Sequence, residues 1–308
     1  MASTAILTTY GVNDIREDVV LNAIEILTAR ESQITNLVQR GSAIATVHSY
    51  LTDTLKAVAS LAVAEQGDYN ADVLQTPVRL TNVIEIMAKN FKVSRTQQQV
   101  QHFQGENELQ RQTRKGLMDW ANAYEFDFVR SLLTSGASGT APKMSGVIEA
   151  ASKSSNHTTQ TSTTIWSASI LDGLMQENWD NSNGDVATDL FMGSFLRKIT
   201  DTFTQKSNVV VNNPGGQTRI VRTVTTYETA FGTLNIHKHR YIQQSTDAHA
   251  RVLAIRPDKI KSAWLQMPFV DTGLARSGDY DNRAVVGKTT VEIRNQDSQW
   301  FADGYKQT

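Results

Sequence analysis

The sequence contains no cysteine and no excess of charge of either sign. The missing cysteines exclude disulfides, thiolate catalysis and every zinc or iron–sulfur site that needs cysteine ligands. Thirty Lys and Arg residues stand against 31 Asp and Glu residues, which leaves a formal net charge of -1. Such a chain has no general positive field with which to bind phosphate backbones tightly. Stability must therefore come from packing and association.

Long hydrophobic runs are also missing. The longest apolar stretches, such as residues 57–64 (AVASLAVA), fall far short of the roughly 20 residues that a membrane span needs. The N-terminal segment MASTAILTTYGVND lacks a basic region followed by an apolar stretch, so no signal peptide is predicted. The hydrophobic content of 40% is nevertheless enough for a sizeable core. A folded protein that stays in the cytoplasm where it is made is expected.

Catalytic signatures are not found either. His237 and His239 are two residues apart on a predicted strand, which puts both side chains on one face, as a metal pair would require. No HExxH, G-x-S-x-G or phosphate-loop pattern accompanies them. Residues 212–216 and 279–282 are predicted to be turns, because neither completes a phosphate loop or a calcium loop. We predict no catalytic, cofactor or metal site, and a hydrolase using His237 and His239 remains the alternative.

The first third of the chain suggests elements with little core of their own. Residues 1–45 are interpreted as an N-terminal arm that contains short helices. Two segments rich in β-branched and aromatic residues, 46–55 and 78–96, are predicted to form a long hairpin within residues 46–98. About twenty residues connect them, which is too long for a tight turn. Such a projection would need support from another chain.

The strongest local signal is a helix at about residues 106–135, closed by Gly136. Its acidic start suits the positive end of a helix dipole. At 1.5 Å per residue the helix would be about 40 Å long, a spine across the subunit. The buried stripe at i, i+3, i+4 spacing is predicted to consist of Leu117, Trp120, Ala121, Tyr124, Phe128, Leu132 and Leu133.

The second half of the chain changes to shorter, mixed elements after a Gly, Ser and Thr-rich connection near residue 160. A helix capped by Ser167 is predicted at residues 167–178, followed by a strand at 189–192 and a helix around Phe195–Phe203. Residues 219–228 and 231–242 are predicted to pair as a hairpin, and 251–256 to form a further strand. Residues 289–295 and 299–305 are predicted to be a closing pair of strands.

Several segments carry a resemblance to a known family. HSYLTD (48–53) precedes the hairpin, and TNVIEIMAKNFKVSRTQ (81–97) leads into GENELQRQTRKGL (105–117). YETAFGTLNIHKHR (227–240) and RSGDYDNRAVVGKTTVEIRNQDSQWFADGY (276–305) follow later. Together with the order of elements, they resemble the major capsid proteins of tailed bacteriophages, which have the Hong Kong 97 fold. The resemblance covers most of residues 30–305 and is weakest over the first 30.

The resemblance implies an α+β Hong Kong 97 phage capsid fold with an N-terminal arm, an E-loop β-hairpin, a long spine helix, a P-domain and an A-domain. It places the arm at 1–45, the E-loop at 46–98, the P-domain with the spine helix at 99–160, the A-domain at 161–275 and returning P-domain strands at 276–308. The implied function is a structural, non-enzymatic subunit. It would form hexamers and pentamers of an icosahedral head that encloses double-stranded DNA.

The implied partners are further copies of the chain and, in addition, scaffold, portal and decoration proteins. The location would be the virion, after assembly in the host cytoplasm. Another phage assembly component, such as a tail-tube or adaptor protein, is the alternative. Some members of the family join an E-loop lysine to a neighbour's asparagine. Residues 65–77 contain no lysine, so a shell without covalent cross-links is expected here.

Charged and aromatic residues of the predicted hairpin are candidates for contacts between subunits. They would pair with opposite charges on a neighbour and so fix the register of the contact. The alternative for the same residues is a solvated surface without a partner. The candidates are Glu65, Asp68, Tyr69, Arg79, Glu85, Lys89 and Lys92.

Overall fold

The computed structural model describes residues 32–56, 58–63, 65, 74–99, 107–161, 163–203, 210–212, 218–220, 225–243, 249–275 and 278–306. Its α-helices are α1 (Gln33–Leu37), α2 (Arg95–Gln99), α3 (Glu108–Arg130), α4 (Val147–Ser152), α5 (Ala168–Asn181) and α6 (Ser194–Thr200). Its strands are β1 (Gln39–Ser42), β2 (Val47–Thr52), β3 (Val78–Val83), β4 (Glu85–Ser94), β5 (Thr158–Thr159), β6 (Asp189–Met192), β7 (Val210–Asn212), β8 (Thr218–Ile220), β9 (Thr226–Thr229), β10 (Gly232–Lys238), β11 (Ala250–Ile255), β12 (Ile260–Asp271), β13 (Tyr280–Ile293) and β14 (Trp300–Tyr305). Within these ranges no helix combines the length and apolar character needed to cross a membrane.

A four-stranded sheet with the order β1-β12-β13-β4 supports the long helix α3. The central strand β13 pairs antiparallel with both β12 and β4, and β1 joins parallel to β12. The helix crosses so closely that a Cβ atom built on Gly287 of β13 would lie 2.5 Å from the Trp120 ring. Only glycine leaves room for this crossing, so Gly287 helps to seat the helix on the sheet.

The buried face of α3 is aromatic. Asn107 caps the helix, because its side-chain oxygen accepts a hydrogen bond from the Leu109 N–H at 2.9 Å. Trp120, Tyr124 and Phe128 are buried, and the Trp264 ring of β12 lies 5.0 Å from the Tyr124 ring. These rings are part of a core cluster that also takes in residues of both sheets. The predicted spine helix is therefore present.

The helix ends earlier than the predicted residue 135. Ser131 adopts an extended conformation with ψ of 139°, and the helix stops at Arg130. Leu132 and Leu133 lie beyond the helix and are 67% and 42% exposed, and Leu117 is 42% exposed. These three residues do not belong to the buried stripe that we predicted. The apolar spacing in the sequence continues beyond Arg130, whereas the helix ends there because the chain changes direction.

The second large sheet has six strands in the order β5-β14-β11-β6-β10-β9. Alternate residues of its inner strands point to opposite faces. Leu190, Val252 and Trp300 pack with apolar residues of α5 and α6, whereas Phe191 and Leu253 pack in the cluster that contains α3. The sheet is therefore buried on both faces, which explains the continuous apolar character of β6 and β11.

Most elements of the second half are confirmed. Ser167 caps α5, with its hydroxyl accepting from the Ile170 N–H at 3.4 Å, and β6 has the predicted bounds. The strands β9 and β10 form the predicted hairpin, although β9 begins only at Thr226. The predicted closing pair is wrong: β13 and β14 are both strands, but they lie in different sheets.

The end of the predicted arm is part of the body. The described residues before residue 46 form α1 and β1, and Ile34 of α1 is fully buried against the core that contains α3. β1 pairs with β12 over four residues. Apolar burial and strand pairing thus hold residues 33–42 inside the subunit. Residues 1–31 of the predicted arm lie outside the described residues.

The predicted second hairpin arm, residues 78–96, is divided. β3 pairs only with β2, whereas β4 leaves this pair and becomes an edge of the four-stranded sheet. Ile84 separates the two strands and is buried in a small cluster with Ala43 and Ala263. Burial of this one side chain fixes the point at which the chain passes from one sheet to the other.

Two of the predicted domain boundaries differ from the sheet topology. β12 begins at Ile260 and already belongs to the four-stranded sheet, so the segment 161–275 is not one unit of sheet pairing. β14 lies within the predicted return segment 276–308, yet it pairs with β11 and β5 of the six-stranded sheet. Both differences arise from long-range strand pairing, which local sequence patterns do not encode.

Candidate subunit-contact site

A two-stranded ribbon, made of β2 and β3, projects from the four-stranded sheet. Its register runs from Val47 opposite Val83 at the base to Thr52 opposite Val78 at the far end. Arg79 donates from Nη2 to the Ser49 hydroxyl across the two strands at 2.8 Å. A two-stranded ribbon is marginally stable by itself, so further contacts are needed to hold it.

The ribbon and the connection beyond it expose large apolar side chains. Leu55, Val58 and Leu61 are 98%, 103% and 89% exposed. Exposed apolar groups this close together in sequence mark interaction sites or aggregation hazards in soluble proteins. Further exposed apolar side chains here are Val47, Leu51, Val63, Leu74 and Val78.

A second exposed apolar surface lies on the four-stranded sheet. Ile86, Leu265 and Phe269 are each the sequence neighbour of a side chain that packs into the core, namely Met87, Trp264 and Val270. Neighbours in a regular strand point to opposite faces, so Ile86 and Phe269 face away from α3. Leu265 lies in a stretch of β12 that has two register shifts. Together with Met267 these three residues are 38% to 57% exposed. We call Ile86, Leu265, Met267 and Phe269 the outer sheet face.

The predicted contact residues do not form one group. Glu65 is exposed, and Asp68 and Tyr69 lie outside the described residues. Arg79 is on the ribbon, as noted above. Lys89 is half-exposed with its Nζ atom 3.5 Å from Asp119 Oδ2, and the Lys92 Nζ atom lies 4.9 Å from the centre of the Tyr280 ring. Both lysines are on β4 and therefore belong to the sheet, not to the ribbon.

Glu85 was predicted to contact a neighbouring subunit, and this is wrong, because its side chain is only 6% exposed and faces inward. Its Oε2 atom accepts from the Met144 N–H at 3.2 Å and from the Ser131 hydroxyl at 3.4 Å. Burial raises the pKa of Glu85, and the nearby charge of Asp127 raises it further. The carboxyl group lines a cleft of about 320 Å³ between β4 and α3. It is a buried acid, not a charge presented to a neighbour.

The base of the ribbon contains a histidine–carboxylate contact that sequence reasoning did not find. His48 Nε2 lies 3.0 Å from Glu292 Oε2 of β13, with side-chain exposures of 12% and 7%. Arg294 donates from Nε to the other Glu292 oxygen at 2.8 Å. Burial acts to raise the pKa of Glu292, but the hydrogen bonds from Arg294 and His48 outweigh it and lower the pKa. The partners are 244 residues apart, so no local pattern could reveal them.

His237 and His239 are held by two different carboxylates. His237 Nε2 lies 2.9 Å from Asp189 Oδ1, and His239 Nε2 lies 3.0 Å from Glu125 Oε1. The Phe191 ring contacts both histidine rings. In the part of the chain that the structure describes, no three metal-ligating side chains come together as a metal site. Each histidine is thus part of its own hydrogen-bonded pair.

Comparison with known proteins decides the family. A family model described as SU10 major capsid protein matches residues 4–302. The chain belongs to the SU10 major capsid protein family. No curated protein matches the sequence. A member of this family is a structural protein of the phage capsid and is located in the virion, as predicted from the sequence.

Solved structures support the Hong Kong 97 type α+β fold of this major capsid protein. The capsid of a native GTA particle is similar, with a TM-score of 0.67 and 10% identity over 98% of this chain and 99% of that chain. A structure from Mycobacterium phage Che8 is similar with a TM-score of 0.60 and 11% identity, over 94% of this chain and 98% of that chain. The holo-SrpI encapsulin complex of Synechococcus elongatus PCC 7942 is similar with a TM-score of 0.61 and 8% identity, over 92% of this chain and 93% of that chain. At these identities the likeness concerns the fold alone.

Proposed function

We propose that this capsid protein forms hexamers and pentamers of an icosahedral head through its ribbon and its outer sheet face. The observation that carries the proposal is the nearly complete exposure of Leu55, Val58 and Leu61 beyond the ribbon. These side chains have little to contact in their own subunit. Burial against a second copy would remove their apolar surface from water, which stabilises the contact by about 25 cal/mol per Å².

The two apolar surfaces differ, and this favours a particular geometry. A self-complementary contact joins two copies of a chain, so it cannot by itself build a ring of five or six. A contact between different patches of successive copies is heterologous, and such contacts generate closed rings when the rotation between copies closes. Hexamers and pentamers are rings of this kind. The outer sheet face, exposed at Ile86, Met267 and Phe269, offers the complementary patch.

The structural units take natural roles in this proposal. The four-stranded sheet with α3 serves as the P-domain and spine, and the six-stranded sheet with α5 and α6 serves as the A-domain. The ribbon serves as the E-loop. Arg79 on the ribbon and Glu65 on the connection beyond it are both exposed and accessible for pairing with a neighbour.

The shell would enclose double-stranded DNA without gripping it, because a formal net charge of -1 gives no strong attraction to phosphate. Scaffold, portal and decoration proteins are the further partners that this role calls for. Assembly would take place in the host cytoplasm. The protein would serve this role as a building block, without a chemical step.

The test is a double substitution of exposed apolar side chains, Leu55→Ser with Val58→Ser. The expected product is a folded, soluble subunit with wild-type circular dichroism and thermal stability that forms no shells in negative-stain electron microscopy. Stability should be unchanged because neither side chain is buried in the subunit.

The matched control is Leu55→Met with Val58→Ile, which keeps the apolar surface and should still form shells. Normal particles from the serine variant would contradict the proposed contact. Loss of folding in the serine variant would contradict the assignment of both side chains to the surface.

A further inference from the structure

The two strands of the ribbon are attached to the body in different ways. The β3 strand is held by uncharged groups: Asn82 donates from Nδ2 to Val291 O at 2.8 Å and to Ser145 O at 3.2 Å. Asn82 Oδ1 accepts from the Ser145 N–H at 2.9 Å, and Thr290 donates from its hydroxyl to Val83 O at 2.9 Å. Asn82 is 6% exposed. Breaking these bonds would leave buried polar groups without partners, at about 1–3 kcal/mol for each group.

The β2 strand is held by groups of another kind. His48 contacts Glu292, as described above, and the Tyr50 hydroxyl oxygen accepts from the Ile293 N–H at 3.3 Å. Among the described residues, the charged and titratable groups near His48 are Glu292 at the end of β13, Arg294 directly after it and Tyr50 of its own strand. Lys261 of β12 stands opposite Glu292 in the sheet. Histidine is the side chain that ordinarily changes its charge between pH 5 and 8.

Glu292 is shared between the ribbon and the body, and this makes the contact reversible. One carboxylate oxygen receives His48 of the ribbon, and the other receives Arg294 of the body. If His48 withdraws, the Arg294 contact at 2.8 Å still compensates the negative charge. Opening the β2 side leaves Glu292 paired with Arg294 and deprives only the Ile293 N–H of its Tyr50 partner. Opening the β3 side would break all four hydrogen bonds of Asn82 and Thr290.

We propose that the base of the ribbon is a hinge in which Asn82 and Ile84 form the pivot and the His48–Glu292 contact forms a pH-sensitive lock. With His48 protonated, the ion pair holds the ribbon at one angle to the four-stranded sheet. With His48 neutral, the attraction is weaker and the ribbon samples further angles. In a shell this would let one chain adapt its ribbon to hexamer and pentamer environments, and that consequence rests on the proposed function.

Motion at the hinge can be measured as the distance between two spin labels placed in the same chain. Because the sequence has no cysteine, Thr54→Cys on the exposed connection beyond the ribbon and Lys115→Cys on the exposed side of α3 accept labels uniquely. The labelled full-length chain is diluted into unlabelled chain, so that distances between subunits do not contribute. Pulsed electron paramagnetic resonance then gives the distribution of the label separation at pH 5.5 and pH 8.

The expected result is a narrow distribution at pH 5.5 that broadens at pH 8. His48→Ala should be broad at both values, and His48→Arg, whose charge is permanent, should be narrow at both. His249→Ala removes an exposed histidine far from the hinge in sequence and should behave like the parent.

Equal widths for the parent and His48→Ala at both pH values would overturn the hinge. So would a broad distribution in His48→Arg. These outcomes do not depend on shell formation, since the distance lies within one chain. A loss of shells from the Leu55→Ser, Val58→Ser protein therefore tests the contact surface separately from the lock.

Discussion

Two glutamates of the subunit, Glu85 and Glu125, are both buried, yet their pKa values move in opposite directions. Burial acts to raise both. Around Glu125 this is outweighed by hydrogen bonds from His239, Thr35 and Ile34, which lower the pKa. Glu85 has weaker hydrogen bonds and the like charge of Asp127 nearby. The number and kind of donors therefore decide which form of a buried carboxyl is stable.

Glu125 shows what such a residue does for the fold. Its carboxylate accepts from the Ile34 N–H at 2.8 Å, from the Thr35 N–H at 3.1 Å and from His239. One side chain near the C-terminal end of α3 thus fixes the start of α1 and the residue that follows β10. Its lowered pKa means that it stabilises the fold above the unfolded-state pKa of about 4.5 and that this stability is lost as the pH falls.

For Glu85 the predicted pH dependence of stability is the reverse of that for Glu125. A raised pKa means that the stabilising contribution is present below the unfolded value and is lost as the pH rises through the folded value. Glu85→Gln should therefore be more stable than the parent at pH 7.5, by on the order of 1 kcal/mol, and equal to it near pH 4. Urea denaturation at both pH values measures the difference.

Glu149→Gln is the comparison variant. Burial of Glu149 is outweighed by hydrogen bonds from Lys153 and the Leu133 N–H, which lower its pKa. Its substitution should reduce stability at pH 7.5. If both variants lose stability to the same degree, the carboxyl of Glu85 is ionised and well solvated, contrary to its position in the structure.

At the scale of elements, α3 shows where periodicity stops being informative. Phe128 and Leu132 are four residues apart and both fit the apolar stripe. Phe128 is fully buried, whereas Leu132 lies beyond the helix and is 67% exposed. The chain turns back after Ser131, where the Gly146 N–H donates to Ser131 O at 2.8 Å. A contact with a distant glycine thus ends the helix.

This difference predicts unequal effects of two truncations. Phe128→Ala should reduce the free energy of unfolding by roughly 3–5 kcal/mol, because it leaves a cavity between α3 and both sheets. Leu132→Ala should stay within about 0.5 kcal/mol of the parent. Thermal denaturation of both variants measures this. Similar losses in the two variants would show that the helix and its buried face extend to residue 132.

At the scale of the whole molecule, the two lysines of β4 have partners within their own subunit. Lys89 pairs with Asp119, and Lys92 lies over the Tyr280 ring. Asn295 donates from Nδ2 to Ser182 O at 3.4 Å and to Asp185 Oδ2 at 3.3 Å. A lysine that attacks an amide must be neutral and desolvated, whereas Lys89 is half-exposed and lies beside the Asp119 carboxylate.

We therefore predict that the shell is held together without covalent links between subunits. Mature particles boiled in denaturing detergent should give one band near the chain mass of 34.1 kDa. A ladder of multimers would contradict this and would direct attention to Lys56, the lysine of the connection beyond β2. The control is the same particle treated with an amine-reactive cross-linker, which should produce the ladder.

The sequence by itself determined the elements whose signals are local. The aromatic stripe of α3, the Ser167 cap and the strand Asp189–Met192 follow from side-chain periodicity and capping, which neighbouring residues carry. The order of these elements and the quoted segments were also enough to indicate the capsid family. Each of these features depends on residues within a few turns of one another.

Tertiary structure alone decided which strands pair and which charges are buried. Residues 78–96 read as one strand, yet burial of Ile84 with Ala43 and Ala263 divides them between two sheets. Glu85 is buried and Glu65 exposed, and His48 meets Glu292 from the far end of the chain. The reason is physical: strand pairing and the environment of a charge are set by groups distant in sequence, and their free energies exist only once those groups have come together.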